Sequence, residues 1–184
     1  SGKRQIVFKK SEGYNDQHMD VPCGQCIGCR LEKSRQWAIR CMHEASLYDD
    51  NCFITLTYAP EHLPPNGSLD KKAFPLFMKR LRKKFGANIK YYHCGEYGDQ
   101  YSRPHYHACI FNFDFSDKVL YSEKDKIRLY ESPTLSGNSD SLWPFGHATI
   151  GDVTFESAAY TARYVMKKVT GKGSDEFYTR INPE

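Results

Sequence analysis

The strand-like segments of this chain are not each followed by a helix-like segment, and this order constrains the fold more than any other feature. Residues 89–95 and 105–113 are separated only by a polar turn, as expected for a β-hairpin. The sequence therefore predicts an α+β fold with a largely antiparallel central sheet and flanking helices. Strands are predicted at residues 3–9, 52–58, 89–95, 105–113 and 146–153, helices at 30–48, 69–85, 116–131 and 156–169, and a flexible loop at 132–141.

The composition is typical of one folded domain, here taken to span residues 1–184, because 40% of the residues are hydrophobic and 14% are aromatic. No run of about 18 apolar residues occurs, and the first residues lack the apolar stretch of a secretion signal. We therefore expect no membrane partner, a cytoplasmic location and reduced thiols at the seven cysteines. The net charge of +4 permits a nucleic-acid partner without requiring one.

The motif with the most chemical content is His105-Tyr106-His107 on an apolar strand. Side chains alternate across a strand, so the two imidazoles share one face, about 7 Å apart at Cα, and can converge on one ion. If the two strands of the predicted hairpin pair, Glu96 lies beside both histidines. Such a site suits a divalent cation acting as a Lewis acid on a phosphate. The alternative is that both histidines are ordinary surface residues, since the motif is short.

A second motif lies on the predicted helix 156–169, where Tyr160 and Tyr164 are one turn apart and share a face. Arg163 and Lys167 each follow a tyrosine by three residues, and a cation there can stabilise a phenolate or a phosphate. Tyrosine becomes a competent nucleophile when a metal and a nearby cation favour the oxyanion. The alternative is a helix that buries two tyrosines against the sheet.

Three cysteines, Cys23, Cys26 and Cys29, lie within seven residues of the loop 18–30. This spacing predicts a structural zinc site, and free thiols are the alternative. Cys41 fits the apolar stripe of the following helix and is too far along it to be a ligand. The fourth ligand is left open between His18, Cys94 and a residue outside this sequence.

The predicted helix 69–85 has an apolar face and a basic face, and the basic face is open to two interpretations: it contacts the phosphates of a nucleic acid, or it is simply solvated. Several tyrosines could stack on unpaired bases or belong to the core. The basic residues are Lys79, Arg80, Arg82, Lys83 and Lys84, and the tyrosines are Tyr91, Tyr92, Tyr97 and Tyr101.

Taken together, these motifs resemble the HUH endonucleases, and particularly the replication-initiation proteins of microviruses, with the gokushovirus-type phages most similar. The resemblance covers the chain from about residue 20 onward. It depends on FITLTY at 53–58, GEYGDQYSRPHYHACIF at 95–111 and YTARYVMKK at 160–168. The proteins of this family appear longer, so the chain is expected to be a nuclease domain of a longer protein.

The resemblance implies an HUH nuclease fold with His105, His107 and Glu96 as ligands of Mg²⁺ or Mn²⁺, and Tyr160 and Tyr164 as the catalytic pair. It also implies cleavage of one DNA strand at a replication origin, with a covalent 5′-phosphotyrosine and a free 3′-hydroxyl. That hydroxyl would prime the host replication machinery for rolling-circle replication, in the cytoplasm of a bacterium infected by the phage.

Two other functions compete with this one. A zinc-containing module that binds single-stranded nucleic acid without cutting it would use the same basic and aromatic residues, but gives no role to the histidines and tyrosines. A metal-dependent hydrolase with an activated water would use Glu96, His105 and His107, but leaves Tyr160 and Tyr164 without a role. Covalent joining of the protein to a cut oligonucleotide distinguishes all three.

Overall fold

The computed structural model describes residues 7, 9–13, 20–98 and 103–166. Within these residues one six-stranded sheet is accompanied by three α-helices and three short 3-10 helices. The strands are β1 (Asn51–Thr57), β2 (Lys90–Tyr97), β3 (Pro104–Phe111), β4 (Val119–Lys124), β5 (Ile127–Glu131) and β6 (Ala148–Gly151). The α-helices are α1 (Ile27–Ala45), α2 (Ala73–Phe85) and α3 (Phe155–Met166), and the 3-10 helices are Lys10–Glu12, Pro60–His62 and Pro65–Gly67.

The sheet has the strand order β2-β3-β1-β6-β5-β4, and every pair of neighbouring strands is antiparallel. The predicted α+β fold with an antiparallel sheet is therefore confirmed. The hairpin between β2 and β3 is also confirmed, and β1 lies on the other side of β3. None of the helices within the described residues has the length and apolar character needed to cross a membrane.

One face of the sheet, here called the α2 face, holds the main hydrophobic core. Ile54 and Leu56 of β1 are fully buried on this face, where they join the apolar side of α2. That side consists of Phe74, Phe77, Met78 and Leu81, spaced as an amphipathic helix requires. Burying side chains of this size stabilises the fold by about 1.5–3 kcal/mol each. Trp143 and Leu135, which follow β5 in the chain, close the same core.

The opposite face, here called the α1–α3 face, carries a second and smaller apolar cluster. Ala38, Cys41 and Ala45 of α1 pack there with Ala158 of α3 and Cys109 of β3. These small side chains allow the two helices to lie close together and close to the strands. Because alternate residues point to alternate faces, the odd-numbered residues of β1 and β3 belong to this face.

The predicted helix at 116–131 is wrong, because this segment forms the β4–β5 hairpin. Lys124 pairs with Ile127 across a two-residue turn in which Asp125 and Lys126 have φ of 51° and 67°. Two successive positive φ values are the signature of a turn that matches the twist of paired strands. Pairing of Tyr130 with Ile150 of β6 then adds the hairpin to the sheet. Tertiary pairing has overridden a weak helical pattern.

The segment 132–141 is a loop, as predicted, but part of it is anchored to the protein. Leu135 is fully buried, and Ser132 is 1% exposed. The hydroxyl of Ser132 and the backbone N–H of Thr134 both donate to the carboxylate of Asp117. The predicted strand at 3–9 and the end of the predicted helix at 167–169 fall largely outside the described residues.

Candidate active site

The register of the β2–β3 hairpin brings Glu96 directly opposite His105 on the α1–α3 face. Oε1 of Glu96 lies 2.6 Å from Nε2 of His105 and 3.0 Å from Nε2 of His107. One ligand atom from each residue lies within 4.8 Å of the others, so the three residues could hold a single metal ion. The strand pairing alone produces this group, since the three residues stand on two adjacent strands.

Hydrogen bonds from neighbouring residues orient both imidazoles. The backbone carbonyl of Arg103 accepts from Nδ1 of His105 at 3.0 Å and also accepts from the N–H of Gly98. Nδ1 of His107 is 2.9 Å from the hydroxyl of Thr55 on β1. Without an ion, Nε2 of each ring carries a proton and donates to Glu96. A bound ion would replace these protons, and the contacts at Nδ1 would then keep the Nε2 lone pairs directed toward the ion.

Thr55 belongs to this group of contacting residues but was not predicted to do so, although it lies within the FITLTY segment. Thr55 pairs with His107 in the β1–β3 register, and its neighbour Phe53 lies parallel to the His107 ring with 5.7 Å between ring centroids. Alternation along β1 places both residues on one face. The partner histidine becomes apparent only from the register of two strands that are distant in the chain.

The carboxylate of Glu96 is buried, with 7% of the residue exposed. Burial raises its pKa, but hydrogen bonds with His105, His107 and Tyr160 outweigh that effect and bring the pKa to about 2. Its second oxygen, Oε2, is buried and has no hydrogen-bond partner within the described residues. A buried anionic oxygen without a partner, beside two imidazole nitrogens, fits the donor set of a divalent cation with open coordination positions.

Helix α3 brings Tyr160 into contact with this group and places Tyr164 beside Tyr160. The hydroxyl of Tyr160 donates to Oε1 of Glu96 at 2.7 Å, and its ring centroid lies 5.0 Å from that of His107. The ring of Tyr164 lies 4.8 Å from the ring of Tyr160. Burial, together with hydrogen bonds to Glu96 and Tyr164, raises the pKa of Tyr160, so the phenol keeps its proton in this arrangement.

The sequence of α3 explains how the helix approaches the sheet so closely. Reciprocal hydrogen bonds between Thr154 and Ser157 close its first turn. Ala158, Thr161 and Ala162 are buried and small. The guanidinium of the exposed Arg163 lies 5.9 Å from the ring of Tyr160. Lys167, the cation predicted to accompany Tyr164, lies outside the described residues.

A second group of possible metal ligands stands where α1 begins. Cys23, Cys26 and Cys29 bring their sulfurs within 4.8 Å of one another, and Cys26 caps the helix by accepting from the N–H of Cys29. Backbone hydrogen bonds from Cys26 and Gln25, followed by those from the neighbouring thiols, lower the pKa of Cys23 to about 7. A lowered pKa favours the thiolate, which is the form of cysteine that binds a metal.

No fourth ligand joins the three cysteines among the described residues. Cys94 is buried on β2, where it pairs with His107 in the hairpin register. Cys41 is buried in the smaller apolar cluster with Cys109, as its place in the apolar stripe predicted. The remaining candidate within this sequence, His18, lies outside the residues that the structure describes.

The five basic residues of α2 do not form one free surface. The guanidinium of Arg80 donates to the carbonyl of Leu142, and that of Arg82 donates to the carbonyl of Ile89. The exposed members are Lys79, Lys83 and Lys84. Because α2 packs on the α2 face, these lysines lie across the sheet from Glu96 and the two histidines.

The predicted base-stacking tyrosines have different surroundings. Tyr91 packs edge-on against Phe74 in the main core, and the hydroxyl of Tyr97 accepts from the backbone of Leu69. Tyr92 lies on the α1–α3 face, stacked on Trp37. Tyr101 falls outside the described residues.

Comparison with known proteins gives a consistent group of relatives. The family model described as "Replication-associated protein ORF2/G2P" matches residues 51–169, which include the two histidines, Glu96 and both tyrosines but not the three clustered cysteines. The replication-associated protein VP4 of Bdellovibrio phage phiMH2K is 40% identical over 171 residues, covering 88% of this chain and 53% of that protein. The replication-associated protein ORF2 of Spiroplasma virus 4 is 41% identical over 160 residues, covering 81% of this chain and 48% of that protein.

A further relative, the replication-associated protein ORF4 of Chlamydia phage 1, is 31% identical over 163 residues, covering 80% of this chain and 38% of that protein. The chain thus spans about half the length of the first two of these relatives. No solved structure matches the chain.

Proposed function

The chain belongs to the replication-associated protein family ORF2/G2P, and from this premise we propose that it nicks single-stranded DNA at a phage replication origin through a tyrosine. The main observation behind the proposal is that three side chains contact the same oxygen of Glu96. Oε1 of Glu96 contacts Nε2 of both histidines and also accepts the hydroxyl hydrogen bond of Tyr160. A tyrosine and three side chains that could hold a metal ion are therefore in contact with one another, which supports the proposal.

In this proposal Glu96, His105 and His107 hold a divalent cation, Mg²⁺ or Mn²⁺. Bound there, the cation would supply Lewis-acid activation by drawing negative charge from the scissile phosphate. Thr55 and the carbonyl of Arg103 hold the two imidazoles in the orientation that ligation requires. The burial of Glu96 keeps water away from the carboxylate and strengthens its interactions.

The tyrosine performs the covalent step. Its phenolic oxygen forms a bond to the phosphorus while the bond from phosphorus to the 3′ oxygen breaks. The phenol loses its proton, and the departing 3′ oxygen takes up a proton, so the reaction yields a 5′-phosphotyrosine and a 3′-hydroxyl. The phosphodiester is exchanged and not hydrolysed, so the reverse reaction can rejoin the strand.

The two tyrosines act in turn. One tyrosine holds the 5′ end after the first cut, and the second can attack when the origin is regenerated, because the ring of Tyr164 lies next to that of Tyr160 on the adjacent turn of α3. Arg163 accompanies Tyr160, and Lys167 is proposed to accompany Tyr164 in the same way. Each cation would stabilise the phenolate or the phosphate that the adjacent tyrosine attacks.

Two further roles complete the proposal. Cys23, Cys26 and Cys29 bind a structural zinc ion, with a fourth ligand from elsewhere. The 3′-hydroxyl primes the host replication machinery in the cytoplasm of an infected bacterium. The exposed lysines of α2 contribute to phosphate binding only outside the immediate surroundings of the nicking site, since they lie on the other face of the sheet.

The test uses overlapping single-stranded oligonucleotides that tile the genome encoding the chain, incubated with the protein and Mn²⁺. We expect one oligonucleotide to be cut and its 3′ part to migrate with the protein in a denaturing gel. A cut that leaves a free 5′-phosphate would favour the metal-dependent hydrolase with an activated water. Binding without any cut would favour the zinc-containing module that does not act as an enzyme.

A further inference from the structure

One side of α1 carries three cations and a tryptophan that the proposed chemistry does not use. Arg30, Lys33, Trp37 and Arg40 follow one another at intervals of three, four and three residues, so they lie along a single side of the helix. Arg30, Lys33 and Arg40 are exposed, and Trp37 is half-buried. These four residues, here called the α1 stripe, extend over about 15 Å of helix.

Trp37 joins the α1 stripe to the strand that carries Glu96. Its ring stacks on Tyr92 of β2, with 5.2 Å between centroids and an angle of 9° between planes. Tyr92 stands four residues before Glu96 on the same face of the strand, so Trp37 lies about 13 Å from the metal group along β2. The guanidinium carbon of Arg40 lies 4.9 Å from the ring centroid of Trp37.

The contacts of α1 also give the direction of the stripe. Glu44 near the end of α1 contacts Lys90 at the start of β2, whereas Trp37, earlier in the helix, contacts Tyr92. The helix therefore runs antiparallel to β2. Going from Arg40 through Lys33 to Arg30 follows β2 toward Glu96.

The charges of the α1 stripe are available to a ligand. Of the acidic residues on α1, Glu32 is paired with Arg35 at 2.8 Å, and Glu44 is paired with Lys90 at 2.7 Å. Within the described part of the chain, Arg30, Lys33 and Arg40 form no ion pair. On α2, by contrast, Arg80 and Arg82 are occupied by backbone carbonyls.

We propose that the α1 stripe binds the single DNA strand where it enters or leaves the nicking site. Tyr92 covers one face of the Trp37 ring, and the other face accepts a base when the Arg40 guanidinium, which lies over the ring, turns toward a phosphate. Arg30 and Lys33 contact neighbouring phosphates. Cations interleaved with a supported aromatic ring match the alternation of phosphate and base in an unpaired strand. This inference rests on the proposed nicking of single-stranded DNA and extends it to the surface that positions the strand.

The first test compares two double variants with the same change in charge. Lys33→Ala/Arg40→Ala removes two cations of the α1 stripe, and the matched control Lys79→Ala/Lys83→Ala removes two exposed cations of α2. Binding of a fluorescein-labelled oligo-dT is measured by anisotropy over a range of salt concentrations without added divalent metal, so that no cutting occurs. For the α1 double variant the slope of log K against log salt should fall by about 1.4 and affinity by about tenfold, whereas the α2 control should change by less than about twofold.

The second test uses tryptophan fluorescence, since the chain has two tryptophans and Trp143 is fully buried. Oligo-dT should quench part of the emission, and Trp37→Phe, which keeps a ring on Tyr92, should remove the quenching. Trp37→Leu should weaken binding by about fivefold or more.

Three outcomes separate this inference from the proposed function. If the α1 and α2 double variants have equal effects and binding causes no quenching, the proposed DNA-binding role of the α1 stripe is wrong, even if the protein nicks DNA. No binding of oligo-dT by the parent protein would also overturn it. If binding depends on the α1 stripe but no covalent product forms on the tiled oligonucleotides, the DNA-binding role of the stripe is supported and the tyrosine mechanism is rejected.

Discussion

The two groups of possible metal ligands are built in opposite ways. Glu96, His105 and His107 stand on two paired strands, with Glu96 and His107 nearly inaccessible to solvent. In the cysteine group, Cys23 and Cys26 are exposed just before α1, Cys29 lies half-buried in its first turn, and all three come from seven consecutive residues. The first group depends on the fold for its geometry, and the second is formed by local backbone turns.

This difference indicates different roles for a bound ion. The strands hold Glu96 and the histidines in place through β-sheet hydrogen bonds, Thr55 and the carbonyl of Arg103. An ion there would serve chemistry and contribute little to folding. Few side chains pack around the cysteine loop, so an ion there would contribute mainly to the stability of the loop and of the start of α1.

The largest expected effect is the loss of nicking when a ligand on the strands is removed. His107→Ala should reduce the nicking rate by about 10³-fold or more, since the group acts on the charge that develops in the transition state. Binding of single-stranded DNA at fixed salt should change by less than about twofold, because phosphate contacts elsewhere supply the affinity. Gel-based nicking with Mn²⁺ and an anisotropy titration measure the two quantities.

The control for this variant is His62→Ala, which changes an exposed histidine outside the metal group. It should leave both nicking and binding unaltered. If His107→Ala nicks DNA at the parent rate, Glu96, His105 and His107 do not hold a catalytic ion. The proposed difference in role between the two ligand groups then fails as well.

The cysteine group should show the opposite pattern, with a large effect on stability. Cys23→Ser/Cys26→Ser should lower the zinc content from about one ion per chain to near zero. The free energy of unfolding should fall by about 3 kcal/mol, which corresponds to roughly 6–12 °C in Tm for a chain of this length. Elemental analysis and thermal unfolding measure both quantities, and Gln25→Ala in the same loop is the matched control.

A parent protein that contains no zinc, with all three thiols titratable in the folded state, would contradict the structural role of the cysteine group. If the variant loses zinc without any change in Tm, the cysteines bind zinc in the parent protein, but the ion does not contribute to folding.

The smallest of these effects concerns Thr55, which orients His107. Thr55→Val removes the hydroxyl at nearly constant volume, so Nδ1 of His107 loses its partner. The Mn²⁺ concentration for half-maximal nicking should rise by about 10- to 100-fold. Thr55→Ser keeps the hydroxyl and should stay close to the parent value. A threonine with only a packing role would give equal Mn²⁺ requirements in the valine and serine variants.

The clustering of Glu96, His105 and His107 is predicted correctly from the sequence because it follows from simple rules. Alternation along a strand puts His105 and His107 on one face, and a short polar turn predicts the hairpin that adds Glu96. The β4–β5 hairpin was not predicted, because its two-residue turn, Asp125-Lys126, lacks the glycine that usually signals a tight hairpin. Its attachment to the sheet through Tyr130 and Ile150 is a contact between distant residues that local pattern cannot supply.

Two other features could not be predicted from the sequence, and the reason is the same for both. They are the contact of Thr55 with His107 and the engagement of Arg80 and Arg82 on α2 by backbone carbonyls. Thr55 reaches His107 only through the β1–β3 register, between residues 52 positions apart. Arg80 and Arg82 look like part of a basic face, but tertiary structure directs their guanidiniums to the carbonyls of Leu142 and Ile89. A helical wheel predicts which side of α2 is polar and cannot show which cations remain free.

The central claim is that a tyrosine beside Glu96 becomes joined to DNA, and peptide mapping of the covalent product tests it most directly. Tyr160→Phe and Tyr164→Phe should each leave partial cleavage of the origin oligonucleotide, the double variant should leave none, and the exposed Tyr121→Phe should behave as the parent. Mass spectrometry of the parent should find DNA on both tyrosines. Cleavage by the double variant, with no DNA–peptide product, would contradict the tyrosine mechanism and favour an activated water.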